Sequence, residues 1–324
     1  MVKVNLAEYQ KGYQKEPIRK GFGRGLLKLG QMNQQVVACC ADLTESTQML
    51  DFAKAFPSRF FEIGVAEQNL ATVGSGLAAG GKIPYISSYA AFSPGRNYEQ
   101  IRTTICLNNR PVKIVGSHAG VSVGPDGATH QMLEDIILMR ALPNMVVISP
   151  GDSLEAEKAT FAMANDNRPN YLRLAREATA IFTTNSTPFE IGPAYVYREG
   201  NDISIIATGA MTFQALLASD QLSVEGISCE VIHVPTIKPL DHATIIASLK
   251  KTRLAITIEE GQVSGGLGGA ISELSTSLFP VPIFRLGIND RFGESGQPDE
   301  LLNYFGLNSD NLIQNIKKII KIKG

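Results

Sequence analysis

Short uninterrupted apolar runs alternate along this chain with longer segments whose apolar positions recur at helical spacing. Val36-Val37-Ala38-Cys39-Cys40-Ala41 closes on Asp42-Leu43-Thr44-Glu45-Ser46, as expected for a strand buried on both faces of a parallel sheet. Residues 60–65 read as a second strand that breaks at Gly64 and passes through Ala66-Glu67-Gln68-Asn69 into a helix over 67–80. Further strands are expected over 83–88, 112–116 and 145–149, with helices over 21–33, 95–107 and 131–140. Pro17 discourages a helix from running straight through the polar opening stretch. Residues 203–208 start a second such series, with strands near 228–234 and 254–259. Ile313, Ile316, Ile319 and Ile320, interleaved with lysines, describe an amphipathic terminal helix, read as a packed closing helix in preference to one lying on a membrane surface. Strands alternating with helices imply an α/β chain with parallel sheets. The polar, proline-bearing segment 183–190, T-T-N-S-T-P-F-E, separates the two series, so the expected domains are 1–187 and 188–324.

Length agrees with this division, since 324 residues suit two domains of ~150 residues each. A net charge of -1 offers no electrostatic case for nucleic acid or an anionic membrane surface. Cys39, Cys40, Cys106 and Cys229 show neither a C-x-x-C pair nor metal-ligand spacing, which fits buried thiols in a reducing compartment. The start M-V-K-V-N-L-A-E-Y-Q has no apolar signal region and no apolar stretch reaches membrane-spanning length, so the expected location is the cytoplasm.

Two glycine patterns carry little chemistry. Gly74-Ser75-Gly76 lies inside the helix expected over 67–80, without the strand that a dinucleotide fingerprint requires just before it. The run Gly265-Gly266-Leu267-Gly268-Gly269 follows a strand and opens a helix, which suits either an anion or a tight turn, and the turn is preferred. The informative stretch is 116–131, G-S-H-A-G-V-S-V-G-P-D-G-A-T-H-Q, which holds His118 and His130 in one glycine-rich loop after a strand. A loop there lies where α/β sheets bind ligands. Hydrogen bonds to a polyhydroxylated substrate suit these histidines better than zinc, and satisfied loop histidines are the plain alternative. Tyr89 and Phe92, three apart after a strand, suit stacking on a planar heterocycle or ordinary core packing. Glu67 stands at a strand-to-helix junction, where the first-turn amides favour its ionised form, so a proton-holding role requires burial or a cofactor partner.

Taken in order, A-D-L-T-E-S (41–46), E-I-G-V-A-E-Q-N (62–69), S-Y-A-A-F-S-P-G-R-N-Y-E-Q-I-R (88–102), S-H-A-G-V-S-V-G-P-D-G-A-T-H-Q (117–131), L-P-N-M (142–145) and T-I-K-P-L-D (236–241) resemble the carboxyl-terminal half of transketolase over essentially the whole chain. The length looks like the split form of that family, whose second subunit carries the rest. The resemblance implies a thiamine-diphosphate-binding, pyrimidine-type parallel-sheet domain followed by a smaller α/β C-terminal domain. It implies transfer of a two-carbon ketol unit from a ketose phosphate to an aldose. On it, Glu67 matches the glutamate that hydrogen-bonds the aminopyrimidine nitrogen of the cofactor, with Tyr89 and Phe92 in the pyrimidine's aromatic pocket. His118, Asp126 and His130 resemble the contacts to substrate hydroxyls and carbonyl, the two histidines being candidate proton-transfer groups. Arg19, Ser46 and Arg176 resemble the sugar-phosphate binders, for which arginine suits through bidentate charge-assisted bonds.

The chain also departs from that pattern. One-chain transketolases have R-E-H where this chain has A-E-Q, and a third aromatic near the position of Gly95. The A-E-Q-N form also resembles deoxyxylulose-phosphate synthase and, more distantly, the beta subunit of 2-oxo-acid dehydrogenases. The family's G-D-G motif, which anchors the cofactor diphosphate through Mg²⁺, does not occur, and Gly151-Asp152-Ser153 reads as a helix cap. No metal ligand is therefore expected on this chain. The expectation is a subunit inactive alone, paired with a diphosphate-binding partner in an α2β2 assembly, the alternatives being half of a deoxyxylulose-phosphate synthase or a non-catalytic scaffold.

Overall fold

The apolar runs condense into two parallel sheets in the computed structural model, which describes residues 4–323. The first three residues of the opening stretch and Gly324 lie outside the described residues. The first half comprises β1 (Lys15–Pro17), α1 (Ile18–Met32), β2 (Val36–Cys40), α2 (Leu50–Ala55), β3 (Phe60–Glu62), α3 (Glu67–Ala79) and β4 (Ile83–Tyr89). It continues with α4 (Tyr98–Gln100), extended by a π-helical segment Ile101–Cys106, then β5 (Lys113–Ser117), α5 (Asp135–Ala141), β6 (Val146–Ile148), α6 (Ser153–Ala164), β7 (Asn170–Arg173) and β8 (Ala178–Ala180). The second half comprises β9 (Tyr195–Arg198), β10 (Ile203–Ala207), α7 (Met211–Val224), β11 (Cys229–His233), β12 (Thr236–Lys238) and α8 (His242–Thr252). It ends with β13 (Ala255–Gln262), α9 (Leu267–Leu278), β14 (Ile283–Ile288), α10 (Pro298–Tyr304) and α11 (Ser309–Lys323).

The first sheet has the order β12-β6-β7-β5-β4-β2-β3, with every pair parallel except β12 on β6. β2 and β5 are buried at every residue, which is why β2 reads as a continuous apolar run and β5 as one broken only by the buried Lys113 at its start and Ser117 at its end. α1 buries Ile18, Phe22, Leu26 and Leu29, one stripe at helical spacing. The second sheet, β14-β13-β10-β11-β9, is parallel apart from its edge strand β9. α11 closes it by burying Leu312, Ile313, Ile316 and Ile319 in the core that holds Phe213, Ala215 and Leu216 of α7, so the terminal helix is packed. The two halves interlock, because β12 comes from beyond the 183–190 segment and completes the first sheet. The junction carries a buried polar cluster: Asp152 caps α6 by accepting from Glu155 N and also accepts from the amides of Phe182 and Thr183. Glu155 Oε2 in turn meets His233 Nε2 at 2.7 Å, and Thr212 Oγ1 meets His233 Nδ1 at 2.7 Å. All four cysteines are free and buried, and burial raises the Cys39 thiol to about 12. Among the described residues no helix is long and apolar enough to cross a membrane.

Among the elements that differ from the sequence reading, three do so through a side chain that makes a tertiary bond. β3 stops at Glu62, well before residue 65, because that carboxylate turns back to accept from the amides of Gly64 and Asp42. The helix expected from 131 starts at Asp135, since Gln131 is drawn into the preceding loop. β7 carries no clear apolar signal, because its end residues Asn170 and Arg173 are buried polar groups paired with Lys113 and Asp135.

Candidate active site at the carboxyl ends of the first sheet

Because β2, β3, β4, β5 and β7 run in one direction, the loops leaving their carboxyl ends gather on one rim. That rim receives Ser46 after β2, Glu67 after β3, Tyr89 and Phe92 at the end of β4, His118, Asp126 and His130 after β5, and Arg176 after β7. Arg19 joins them from the first turn of α1.

Tyr89 and Ser117 are register partners on neighbouring strands, which brings the ring of His118 onto that of Tyr89 with centroids 3.8 Å apart and 26° between planes. Phe92 lies nearly parallel to Tyr89 at 6.1 Å, and His130 meets Phe92 edge-on at 5.4 Å. Tyr89 and Phe92 are half-buried, so this is a ring cluster at a rim and not part of the sealed core. His118 has φ of +58°, a left-handed conformation that costs a non-glycine residue about 1 kcal/mol and is held here by its surroundings. Its Nδ1 lies 2.8 Å from Ser117 Oγ. Burial, followed by the positive charges of Arg19 and Arg176 and the nearby His130, pushes the His118 pKa down to about 3, so its ring is neutral at ordinary pH.

Arg19 bridges the backbones of Ser46 and Arg176. Arg19 donates from Nε to Arg176 O at 3.2 Å and from Nη1 to Ser46 O at 2.5 Å. Arg176 donates to Val123 O and stands 3.8 Å from the carboxylate of Asp126. Two guanidinium groups beside a neutral imidazole form a site for an anion bearing hydroxyl groups. Glu62, which the sequence reading passed over, fixes the loop that presents Ser46 by accepting from Asp42 N at 2.7 Å and Thr44 Oγ1 at 2.9 Å. A glutamate ending a strand beside a D-L-T-E-S turn is the signal that could have found it.

Glu67 is the first residue of α3 and is 3% exposed. Its Oε2 is buried without a hydrogen-bond partner; the nearest cation is Arg96, 3.9 Å away and largely exposed. Its backbone oxygen accepts from Asn97 Nδ2 at 2.9 Å, which also reaches Ser93 Oγ. A buried carboxylate oxygen left open costs roughly 1–3 kcal/mol, and such a gap fits a ligand donor. The third aromatic of one-chain relatives has no equivalent at Gly95, because a Cβ there would fall 2.1 Å from Ala91 O. Among the described residues, no three His, Cys, Asp or Glu side chains converge as a metal-ion set.

A parallel-sheet chain with aromatic, cationic and acid groups on its carboxyl rim has the layout of an α/β ligand-binding enzyme. Residues 14–180 match the transketolase pyrimidine-binding domain and residues 192–312 the transketolase C-terminal domain, so the chain belongs to the transketolase family. It is 43% identical over 322 residues to a protein of Methanocaldococcus jannaschii provisionally named a transketolase C-terminal section, covering 98% of this chain and 99% of the relative. It is 37% identical over 298 residues to a 6-deoxy-6-sulfo-D-fructose transketolase subunit of a Clostridium species, covering 92% of each. A solved split-gene transketolase, described as an inactive β4 tetramer, superposes with a TM-score of 0.89 at 40% identity, over 95% of this chain and 99% of that one. Membership of the family implies dependence on thiamine diphosphate and a divalent metal.

Proposed function

We propose that this chain supplies the pyrimidine half of the active site to a two-chain transketolase that moves a two-carbon ketol unit from a ketose phosphate to an aldose acceptor. The observation that carries this reading is the open, buried Oε2 of Glu67, a ready acceptor for a ring nitrogen that must hold a proton. Thiamine diphosphate, when bound, supplies the carbon nucleophile that cleaves the ketose and carries the two-carbon unit. In this reading Glu67 holds the proton at the pyrimidine nitrogen, and Tyr89 and Phe92 give the ring a flat wall. His118, kept neutral, is free to hydrogen-bond a substrate oxygen, and Asp126 takes a hydroxyl. His130, at the edge of the same cluster, moves a proton at the reacting oxygen. Arg19 and Arg176, with Ser46, hold the phosphate. A dianion between the two arginines offsets their charge and makes His118 more basic once substrate is in place.

Mg²⁺ and the cofactor diphosphate are assigned to a partner chain, in an α2β2 assembly, because this chain has no G-D-G motif. The domains in this reading are 1–187 and 188–324. Reconstitution with a chain that carries G-D-G is expected to give ketol transfer from xylulose 5-phosphate that collapses in Glu67→Ala. Full activity in that variant overturns the mechanism, and turnover with pyruvate in place of the ketose supports a deoxyxylulose-phosphate synthase instead. The Clostridium relative makes 6-deoxy-6-sulfofructose a second donor to assay, since a sulfonate also fits between Arg19 and Arg176.

A further inference from the structure

The loop that bears His118, Asp126 and His130 has glycine at 116, 120, 124 and 127, so its own backbone does little to hold one shape. Besides Arg176, which donates to Val123 O from the same half, it has supports in the other half of the chain. Glu260, on β13 of the second sheet and 5% exposed, accepts from Ser122 N through Oε1 at 2.7 Å. Gly120 has φ of +90° and packs so closely that a Cβ would fall 2.2 Å from the same Oε1. Buried bonds tie Glu260 to the first sheet: Arg173 of β7 donates from Nη2 to Glu260 O at 2.7 Å and pairs through Nε with Asp135 at 2.9 Å. Tyr171 completes that run by donating to Asp135 at 2.7 Å. At the far end of the loop, Gln131 Nε2 donates to Val121 O, Gly124 O and, at 2.9 Å, to Glu294 O of the segment before α10.

We infer that Glu260 and Gln131 are positioning residues through which the C-terminal half of the chain fixes the histidine loop for catalysis. Catalytic groups on a loop need a supporting shell, because displacement by about an ångström costs ~10²-fold in rate. Here that shell is split between two sheets, so the second sheet and the segment before α10 take a direct part in shaping the substrate site. His118 lies two residues before Gly120 on this loop, buried and stacked on Tyr89, and its proton affinity is lowered by burial and by Arg19, Arg176 and His130, so a loop released from Glu260 or Gln131 would let water reach its ring.

The inference rests on the proposed transferase reading for its kinetic arm only. In the assembled two-chain enzyme with thiamine diphosphate and Mg²⁺, Glu260→Ala and Gln131→Met are expected to lower kcat by about ten- to a hundredfold. Cofactor affinity is expected to stay at its parent value, since Glu67, Tyr89 and Phe92 are untouched. Glu260→Gln, which keeps an acceptor for Ser122 N, is expected to recover most of the rate. Independently, NMR titration of the full chain is expected to show the His118 imidazole of both disrupting variants moving up toward its ordinary 6.5 as the loop admits water. An assembly with no transferase activity overturns the functional reading and leaves the titration to decide this one. His118 titrating as in the parent, or kcat and cofactor affinity falling together in step with lost thermal stability, overturns the positioning role.

Discussion

Glu67 and Glu259 are both buried glutamates beside the start of a helix, at 3% and 1% exposure, Glu67 as the first residue of α3 and Glu259 on the strand that leads to α9. Glu259 lies on β13 and closes on the first turn of α9, accepting from Leu267 N at 2.7 Å and Gly268 N at 2.8 Å. It is the anion that the glycine run 265–269 is built around, and the helix end is satisfied from within the chain. Glu67 instead leaves Oε2 without a hydrogen-bond partner, its one ion-pair neighbour among the described residues being the exposed Arg96 at 3.9 Å. Burial therefore does not separate these two carboxylates; the state of their hydrogen bonds does.

The largest effect expected from this contrast is on rate. Glu67→Ala is expected to lower kcat of the two-chain assembly by ~10²–10⁴-fold, with a melting temperature close to that of the parent. Glu259→Ala is expected to do the reverse, costing roughly 2–3 kcal/mol in urea unfolding through two stranded helix amides while the folded fraction keeps its activity. Urea curves in which Glu67→Ala is the less stable of the two break the comparison.

A smaller effect comes from His118, whose folded pKa of about 3 lies below its unfolded value near 6.5. The unfolded chain takes up the proton first, so this contribution is intact above 6.5 and is lost as pH falls toward 3, by up to about 1.4 kcal/mol per unit. His118→Gln is expected to flatten the dependence of melting temperature on pH across that window, and an unchanged slope counts against the burial described. The smallest effect is on stacking: Phe92→Leu is expected to weaken cofactor binding by ~5-fold, from about 1 kcal/mol of lost ring contact, as read by calorimetry on the assembly. Equal affinity in that variant removes Phe92 from the pocket wall.

Much of the fold is legible where burial is two-sided. β2 and β10 stand out because every residue of each is buried and apolar runs record that directly. β7 is hidden because Asn170 and Arg173 are balanced by Lys113 and Asp135, which lie far away in the chain. For the site, the spacing of Tyr89 and Phe92 and the crowding of His118 and His130 into one loop are visible in the residues. That His118 stacks on Tyr89 is not, because it depends on β4 and β5 being neighbours in register.

The sequence by itself determined the alternation of strands and helices, the two-part order of the chain, its family resemblance and the residue types offered to a ligand, since each of these is written in local pattern and spacing. Only the tertiary structure decided that β12 crosses back to complete the first sheet, that Glu260 and Gln131 clamp the histidine loop, and that Glu259 is satisfied where Glu67 is open. Hydrogen-bond satisfaction depends on which distant groups arrive within about 3 Å, and periodicity along a chain carries no record of that distance.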